Sequence, residues 1–381
     1  MINFFTLIML SLFLMSCDNS STNPGLDNGV SFSSSSSVSS SSKDSLEYVE
    51  PPKLSGWEYN PDFNAIIGYL APPLYNDGKW VMARFNSVKI GPLNTYSDYE
   101  SNFVFFVSRD DMATWEETVS LKCNRSDDIK SAFVWNGRFY YAFRDVLDST
   151  RSFFFSSEDG VRWDSVAIVG LPANVKDDVV RKTDFHVVNN KVFAVGRSPW
   201  VCKVPSYVTS DMETWQEMKL RDGGSACGNN VTWGEPGYRM ADGNIIMYSD
   251  DGVIWDSTST NSSHSYKIAY GNGVFVRAAY NGRDALQWSR DGFEWNPPNY
   301  VNSNGSVIFY DGVVFEDGIF LAYGGGMMAG TRSYLLVSVN GQDWVEQEKV
   351  AYKEIERIVF GNGRYLATIS DGSYAIFQKE P

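Results

Sequence analysis

The sequence predicts an all-β fold, a seven-bladed β-propeller closed by an N-terminal strand, and three observations carry that prediction. A short Ser–turn–Trp string recurs: SEDGVRW from Ser157 to Trp163, SDDGVIW from Ser249 to Trp255, SRDGFEW from Ser289 to Trp295, and SVNGQDW from Ser338 to Trp344. Its tryptophans extend a series, Trp115, Trp163, Trp215, Trp255, Trp295 and Trp344, at intervals of 48, 52, 40, 40 and 49 residues. That is the period of a propeller blade of four short strands. A second marker recurs between them: NDGKWVMA from Asn76, NGRFYYAF from Asn136, NNKVFAVG from Asn189, GNGVFVRA from Gly271, EDGIFLAY from Glu316 and GNGRYLAT from Gly361.

Each marker has a local physical reason. Asn-Gly and Asp-Gly favour two-residue hairpin turns because both central residues tolerate positive φ, and alternating apolar residues on either side mark half-buried strands. In the second blade this places strand A over 129–135, a turn at Asn136-Gly137, strand B over 138–144, and strand C over 152–157. Strand D follows from Val161, after an Asp159-Gly160 turn. Ser157 and Asp159 are expected to cap that turn, and Trp163 to pack between neighbouring blades. Six blades end at the six tryptophans; a seventh starts at Glu354 and stops without one. Its missing outer strand is available in SGWEYN, Ser55 to Asn60 around Trp57, which would close the ring and remove an open sheet edge. Six blades is the alternative count, because blade four, about 229–257, is compact.

The string S-x-D-G-x-x-W resembles the Asp-box, or BNR repeat, of sialidase-like β-propellers, over most of residues 54–381. The residues that carry the resemblance are Ser157, Asp159 and Trp163; Ser249, Asp251 and Trp255; Ser289, Asp291 and Trp295; and Ser338 with Trp344. Most copies are one residue shorter between Asp and Gly than the family's S-x-D-x-G-x-x-W. SRDDMATW at Ser108 keeps the full length with Met112 at the glycine position, and TSDMETW at Thr209 has no glycine. In the family the repeat is structural and remote from the active site, so the resemblance implies a fold and not a reaction.

Residues 1–16 read as a lipoprotein signal peptide. Phe4 to Met15 is an apolar run too short for a bilayer-spanning helix of about 20 residues, and Leu14-Met15-Ser16-Cys17 resembles the lipobox of bacterial lipoproteins, with Cys17 the lipidated residue. An ordinary secretory signal with a chance cysteine is the alternative. Residues 17–46, rich in Ser, Asn and Gly, read as a flexible tether, and residues 47–381 as the propeller. The expected location is the bacterial cell envelope, lipid-anchored, at the outer membrane or cell surface rather than the inner membrane. Asp18 after the cysteine, which resembles an inner-membrane retention signal in some bacteria, is set aside because sorting rules differ among lineages.

The chain's 12 Trp, 21 Tyr and 24 Phe supply a large core, and its formal net charge of −14 argues against nucleic acid or an anionic membrane surface as partner. Membrane contact is expected through the lipid anchor alone, and the chain is expected to be a monomer. Beyond Cys17 there are Cys123, Cys202 and Cys227. In an oxidising compartment one disulfide and one thiol is the simplest arithmetic, and Cys202 with Cys227 is the expected pair. Two histidines, His186 and His264, and no C-x-x-C argue against zinc. No cofactor is evident; calcium at an Asp-Asp pair such as Asp127-Asp128 is the one metal the sequence suggests.

The A–B and C–D turns share one face and are short. The B–C and D–A connections share the other, and 86–102, 169–180, 198–205, 221–228 and 257–265 are long. Long loops on a rigid scaffold are where function sits. Strand B is read as ending in Arg84, Arg144 and Arg197 in three successive blades. Three guanidinium groups at one rim could hold a carboxylate or sulfate, as the arginine triad of sialidases does, although Arg84 stands one position out of register. Solvation or ordinary ion pairing is the competing use. Asp145, Asp184 and Glu235, read onto the same rim, are the acid/base candidates; a glycosidase needs two carboxylates about 5 to 10 Å apart. Trp200 and Trp233 could stack on a sugar ring or pack between blades. His186, between Phe185 and Val187, reads as a core residue.

Three functions follow. The first is an envelope lipoprotein that binds carbohydrate or another envelope component through the long-loop face. The second is a glycoside hydrolase or polysaccharide lyase acting on an acidic glycan, and the third a protein–protein scaffold.

Overall fold

A computed structural model describes residues 46–60, 70–91, 99–123, 129–144, 152–173, 176–196, 204–260, 265–279, 286–299, 308–326, 333–347 and 354–380, and it is a seven-bladed propeller. Blade one has strands A to D at Leu70–Asn76, Lys79–Lys89, Tyr99–Ser108 and Glu116–Cys123. Blade two has Ile129–Trp135, Arg138–Arg144, Ser152–Ser157 and Asp164–Ala167; blade three has Thr183–Val188, Lys191–Gly196, Tyr207–Thr209 and Gln216–Glu217. Blade four has Val231–Gly234, Gly237–Asp242, Ile245–Ser249 and Ile254–Ser259, and blade five has Ser265–Gly271, Val274–Ala279 and Leu286–Ser289. Blade six has Ile308–Glu316, Ile319–Gly326, Ser333–Ser338 and Val345–Glu346. Blade seven has Ile355–Gly361, Arg364–Ile369 and Tyr374–Lys379, with Leu54–Asn60 as its fourth strand. The A strands of successive blades adjoin in a closed ring, blade seven's against blade one's. Strand A is therefore innermost and surrounds a central channel.

The closing strand pairs antiparallel with strand C of blade seven, Leu54 opposite Lys379 and Asn60 opposite Tyr374. Trp57 stacks on Phe377 with ring centroids 4.2 Å apart. Asn60 Nδ2 and Trp115 Nε1 donate to the buried Tyr374 hydroxyl at 2.8 and 2.9 Å, so one oxygen joins the closing strand, blade seven and blade one.

Three elements depart from the sequence reading. Strand D of blade two begins at Asp164 rather than Val161, because the backbone N–H groups of Val161 and Arg162 both donate to Asp159 Oδ1 at 2.8 Å and cannot join a ladder. Blade four is compact because a two-residue turn, Gly243-Asn244, links its strands B and C. It gains a fifth strand, Lys219–Leu220, lying parallel to strand D. The 169–180 loop runs into a short helix, Lys176–Lys182.

The repeated turn acts between blades as well as within one. Ser157 Oγ accepts from Gly160 N at 2.8 Å, and Trp163 Nε1 donates to Gly160 O at 3.0 Å. The same set recurs at Ser249, Gly252 and Trp255, and at Ser338, Gly341 and Trp344. Each glycine has φ between +73° and +80° and sits against a strand-B side chain of the preceding blade. A Cβ at Gly160 would lie 2.9 Å from Val81; at Gly252, 2.9 Å from Phe193; at Gly292, 2.5 Å from Arg239; at Gly341, 2.6 Å from Val276. The tryptophan fills the same seam: Trp163 packs on Phe105 of blade one and Phe155 of its own blade, centroids 4.8 and 5.1 Å apart. Where the string has Met112 or Met212, that residue still adopts φ +71° or +65°.

Trp295 is the exception. Among the described residues blade five shows three strands and a Trp288–Asn296 bridge, and Trp295 lies under the buried Arg277 guanidinium, 4.4 Å from ring centroid to Cζ. The one Asn copy, Asn340, also has a reason. Its Nδ2 donates to Glu47 O at 3.0 Å and to Asp343 Oδ2 at 2.8 Å, where the chain runs across blade six toward the closing strand. An Asp there would set acceptor against acceptor.

These contacts fix three outcomes. In urea unfolding, Gly341→Ala should cost about 2–3 kcal/mol, through left-handed strain and overpacking together. Gly137→Ala, in an A–B turn with φ +76° and nothing within 4 Å of a Cβ, should cost about 1 kcal/mol from strain alone. Asn340→Asp should cost about 1 kcal/mol by losing the donor to the Glu47 carbonyl and setting a second carboxylate beside Asp343.

A further outcome concerns acid. A side-chain hydrogen bond from Thr114 holds Asp110 down to about 2, and backbone N–H donors, Thr214 first, hold Asp211 down to about 2. Asp159 is lowered by the N–H groups of Arg162 and Val161. At Asp251 and Asp291 burial pulls upward, but the backbone donors prevail. A carboxylate lowered in the folded state contributes stability that is present above its unfolded pKa and is lost as pH falls through the folded one. The melting temperature should therefore drop steeply between about pH 4 and 2. Asp211→Asn, which keeps the acceptor, should make that drop shallower.

Candidate functional site

Strand A carries an irregularity in five blades. The register slips once at Lys130, Tyr266, Asp311 and Glu356, each five residues before the last residue of its strand, in blades two, five, six and seven. In blade one Pro72 and Pro73 take that part of the strand, where the missing N–H of proline does no harm. A bulge leaves one residue outside the ladder and re-aims its side chain. Here the bulges lie in the half of strand A toward the long loops, so they ring the channel near its loop-face mouth.

On blades six and seven that wall is acidic. Asp311, Glu354 and Glu356 are each exposed to solvent. Burial, with Glu354 adding to it, nevertheless pushes the Asp311 carboxyl up to about 6. Burial also raises Glu356, reinforced by Glu354 and Asp371 and opposed by Arg357. Asp311 and Glu356 are the residues left outside the ladder at the strand-A register slips of blades six and seven, toward the loop-face ends of those strands. Tyr323 backs this wall, its phenol pushed up to about 12 by burial. It has room because residue 312 is Gly: a Cβ there would come 2.7 Å from a ring carbon of Tyr323. On other blades the inner strands are zipped without carboxylates. Phe185 N donates to Ser131 Oγ at 2.8 Å, Asn230 bonds both N and O of Ile268, and Lys267 Nζ donates to Asn229 O at 3.3 Å.

Of the residues singled out from the sequence, the described ones Arg84, Asp184, Trp233 and Glu235 do not assemble there as read. Strand B of blade one runs on to Lys89, so Arg84 lies within it and not at its end. Arg84 is the sixth residue of its strand, in register with Phe143 and one short of Arg144. Its guanidinium lies 5.5 Å over the Phe106 ring, in the seam with blade seven. Arg144 closes strand B of blade two by its backbone. Arg197, Trp200, Asp145 and Cys202 lie outside the described residues. Asp184 is a strand-A residue only 3% exposed, not a rim carboxylate.

Glu235 and Trp233 are on the opposite face. Glu235 is in the A–B turn of blade four, and Trp233 is the second-last residue of its strand A. Tyr270 and Tyr75, at the matching position of other blades, each lie against a glycine of the preceding blade, Gly234 and Gly361. For Trp233 the residue at that place is Val188, and the indole stays 41% exposed. Asp184 and Glu235 therefore do not flank one cleft. Much of the 86–102 connection is strand rather than loop.

Cys227 is disulfide-bonded, with its partner outside the described residues, and Cys123 is a buried thiol. Among the described residues no three His, Cys, Asp or Glu side chains group as metal ligands. Asp178 of the Asp177-Asp178 pair lies 2.8 Å from Lys182. A shallow polar depression on blade three is lined by Lys191, Thr209, Asp211, Thr214 and Gln216. Its Asp211 and Thr209 are engaged in capping the turn. Bulges leave a faint trace in sequence, a polar residue breaking the apolar alternation, as in IKSAFVW and IERIVFG.

No family model and no curated protein matches the sequence. Among solved structures, YCF48 bound to D1 peptide superposes with a TM-score of 0.55 and 16% identity, covering 87% of this chain and 98% of that one. A chain of the mitotic checkpoint complex superposes with a TM-score of 0.50 and 9% identity, covering 88% and 97%. The likeness is one of fold. It accords with the seven sheets and the closed ring.

Proposed function

We propose that this chain is a binding propeller, held at a bacterial cell envelope through Cys17 and the 17–46 tether, whose loop-face channel mouth receives a cationic segment of an envelope protein. The observation that carries this reading is the acidic wall of exposed Asp311, Glu354 and Glu356 at the bulged loop-face ends of strand A in blades six and seven. Lys or Arg entering it meets negative charge already in place, in surroundings that screen it less than bulk water would. YCF48 was solved with a peptide bound, and the other fold neighbour belongs to a protein assembly; both favour a polypeptide partner for a ring of this shape. The resemblance of the turns to Asp-boxes supports a structural role for them, consistent with the clasp they make. A uronate or sulfate polymer would meet like charge at this mouth. Arg84 faces a seam, so it is withdrawn from the arginine rim of the acidic-glycan reading.

The test is fluorescence anisotropy of a labelled octalysine peptide with the full chain. Binding that weakens with salt and falls about tenfold in an Asp311→Asn, Glu354→Gln, Glu356→Gln variant is expected. Equal binding by wild type and variant, or retention of oligogalacturonate in place of the peptide, would overturn it.

A further inference from the structure

We propose that the seam between blades four and five holds a second binding site, in which the buried Arg277 guanidinium receives one carboxylate that the fold itself does not supply. The inference does not rest on the cationic partner proposed above. Arg277 lies on strand B of blade five opposite Gln287 of strand C, and only 2% of it is exposed. A guanidinium so far from water calls for a carboxylate, whose two oxygens match its fork and whose charge offsets its own.

Gln287 has the reach of that partner but not its charge. Its Oε1 accepts from Arg277 Nε at 2.7 Å and from Nη2 as well. Thr260 Oγ1, just beyond strand D of blade four, accepts from Nη1 at 3.2 Å. Burial pushes the group down to about 10, and no carboxylate among the described residues opposes it. Arg239 of blade four gives the contrast. It is equally buried and equally stacked on an aromatic ring. Yet it donates to three backbone carbonyls, and Asp291 and Asp250 oppose the effect of its burial.

Around Arg277 donors remain and acceptors are used up. A guanidinium carries five N–H groups, and Gln287 and Thr260 take three of them. The Thr260 hydroxyl hydrogen goes to Asn244 O at 3.1 Å, and Gln287, with its oxygen toward Arg277, has its NH2 left to give. The Trp295 ring stacks 4.4 Å from Arg277 Cζ, and its Nε1 is buried with no acceptor among the described residues. Trp163, Trp255 and Trp344 give theirs to a glycine carbonyl. Thr260, Gln287 and Trp295 are half-buried, so the guanidinium lies one layer of side chains below the surface. One positive charge among unspent donors selects an anion that only accepts, and the flat fork selects a planar one with two oxygens. That is a carboxylate.

Thermal melting of the full chain at neutral pH and fixed ionic strength, titrated with N-acetylglutamate, glucuronate or sulfate against chloride, tests the site. A saturable rise of about 2 °C with a carboxylate is expected. A rise with N-acetylglutamate alone marks an acidic polypeptide as the source, a rise with glucuronate alone marks a uronate, and a rise with both marks the carboxylate by itself. Gln287→Glu puts the missing charge in place, so it should melt higher than wild type in chloride and lose the response. Trp295→Phe keeps the ring and removes the spare N–H, and should raise the half-saturating concentration about fivefold. No saturable rise over chloride in wild type would overturn the proposal. So would an equal response to sulfate, or a response that Gln287→Glu retains in full. If one variant fails to fold, the wild-type titration and the other variant still decide.

Discussion

The structure depends on one contact made repeatedly: a glycine in the C–D turn of one blade resting on a strand-B side chain of the blade before it. Gly160 on Val81, Gly252 on Phe193, Gly292 on Arg239 and Gly341 on Val276 set how closely neighbouring sheets approach. The turn's other groups serve that contact. The serine and aspartate satisfy the backbone N–H groups exposed by so tight a reversal, and the indole of Trp163, Trp255 or Trp344 binds the glycine carbonyl. A residue at +75° or so is uncommon unless it is glycine, so the Met copies of blades one and three show how strongly the surroundings impose the turn. Blade four shows a different accommodation. Arg239 takes the place of an apolar side chain, and its guanidinium donates to the carbonyls of Pro236, Tyr238 and Asp291 while Phe293 covers it at 4.6 Å.

Spacing at the turns propagates inward. Blades held at a fixed separation bring seven A strands around one axis, and the bulges near their loop-face ends then decide what the channel wall presents. On blades six and seven that wall is carboxylate. Such a wall is electrostatically costly in a chain already carrying a net charge of −14. Its persistence beside an otherwise apolar seam is what makes the channel mouth the candidate for function. Stability and binding would there pull on the same groups, a conflict common at functional sites.

Blade number, ring closure, strands A to C of blade two and the capping roles of Ser157 and Asp159 were legible in the sequence because each rests on local turn chemistry or on period. What the motif glycine touches was not legible, since Val81 and Gly160 are neighbours only across blades. The candidate site was largely hidden for a related reason. A bulge shifts register by one residue without a fixed composition, so Asp311 and Glu356 look like ordinary strand residues. Arg84, Trp233 and Glu235 were misplaced because each depends on where a strand truly ends. Lys89 extends one strand past Arg84, and Gly234 ends another just before Glu235. Asn340 carried a signal, the single Asn among aspartates, but its meaning required the path of Leu46 and Glu47 across blade six.

The most direct test of the clasp is a double-mutant cycle of Gly341→Ala with Val276→Ala, read by equilibrium unfolding. If the glycine is needed because the neighbouring blade leaves no room, removing the Val276 methyls should accommodate the new Cβ. The pair should then be less destabilised than the sum of the singles by about 1 kcal/mol or more. Additivity within about 0.5 kcal/mol would mean that the turn's φ alone demands glycine. The seam would then not be what holds the ring.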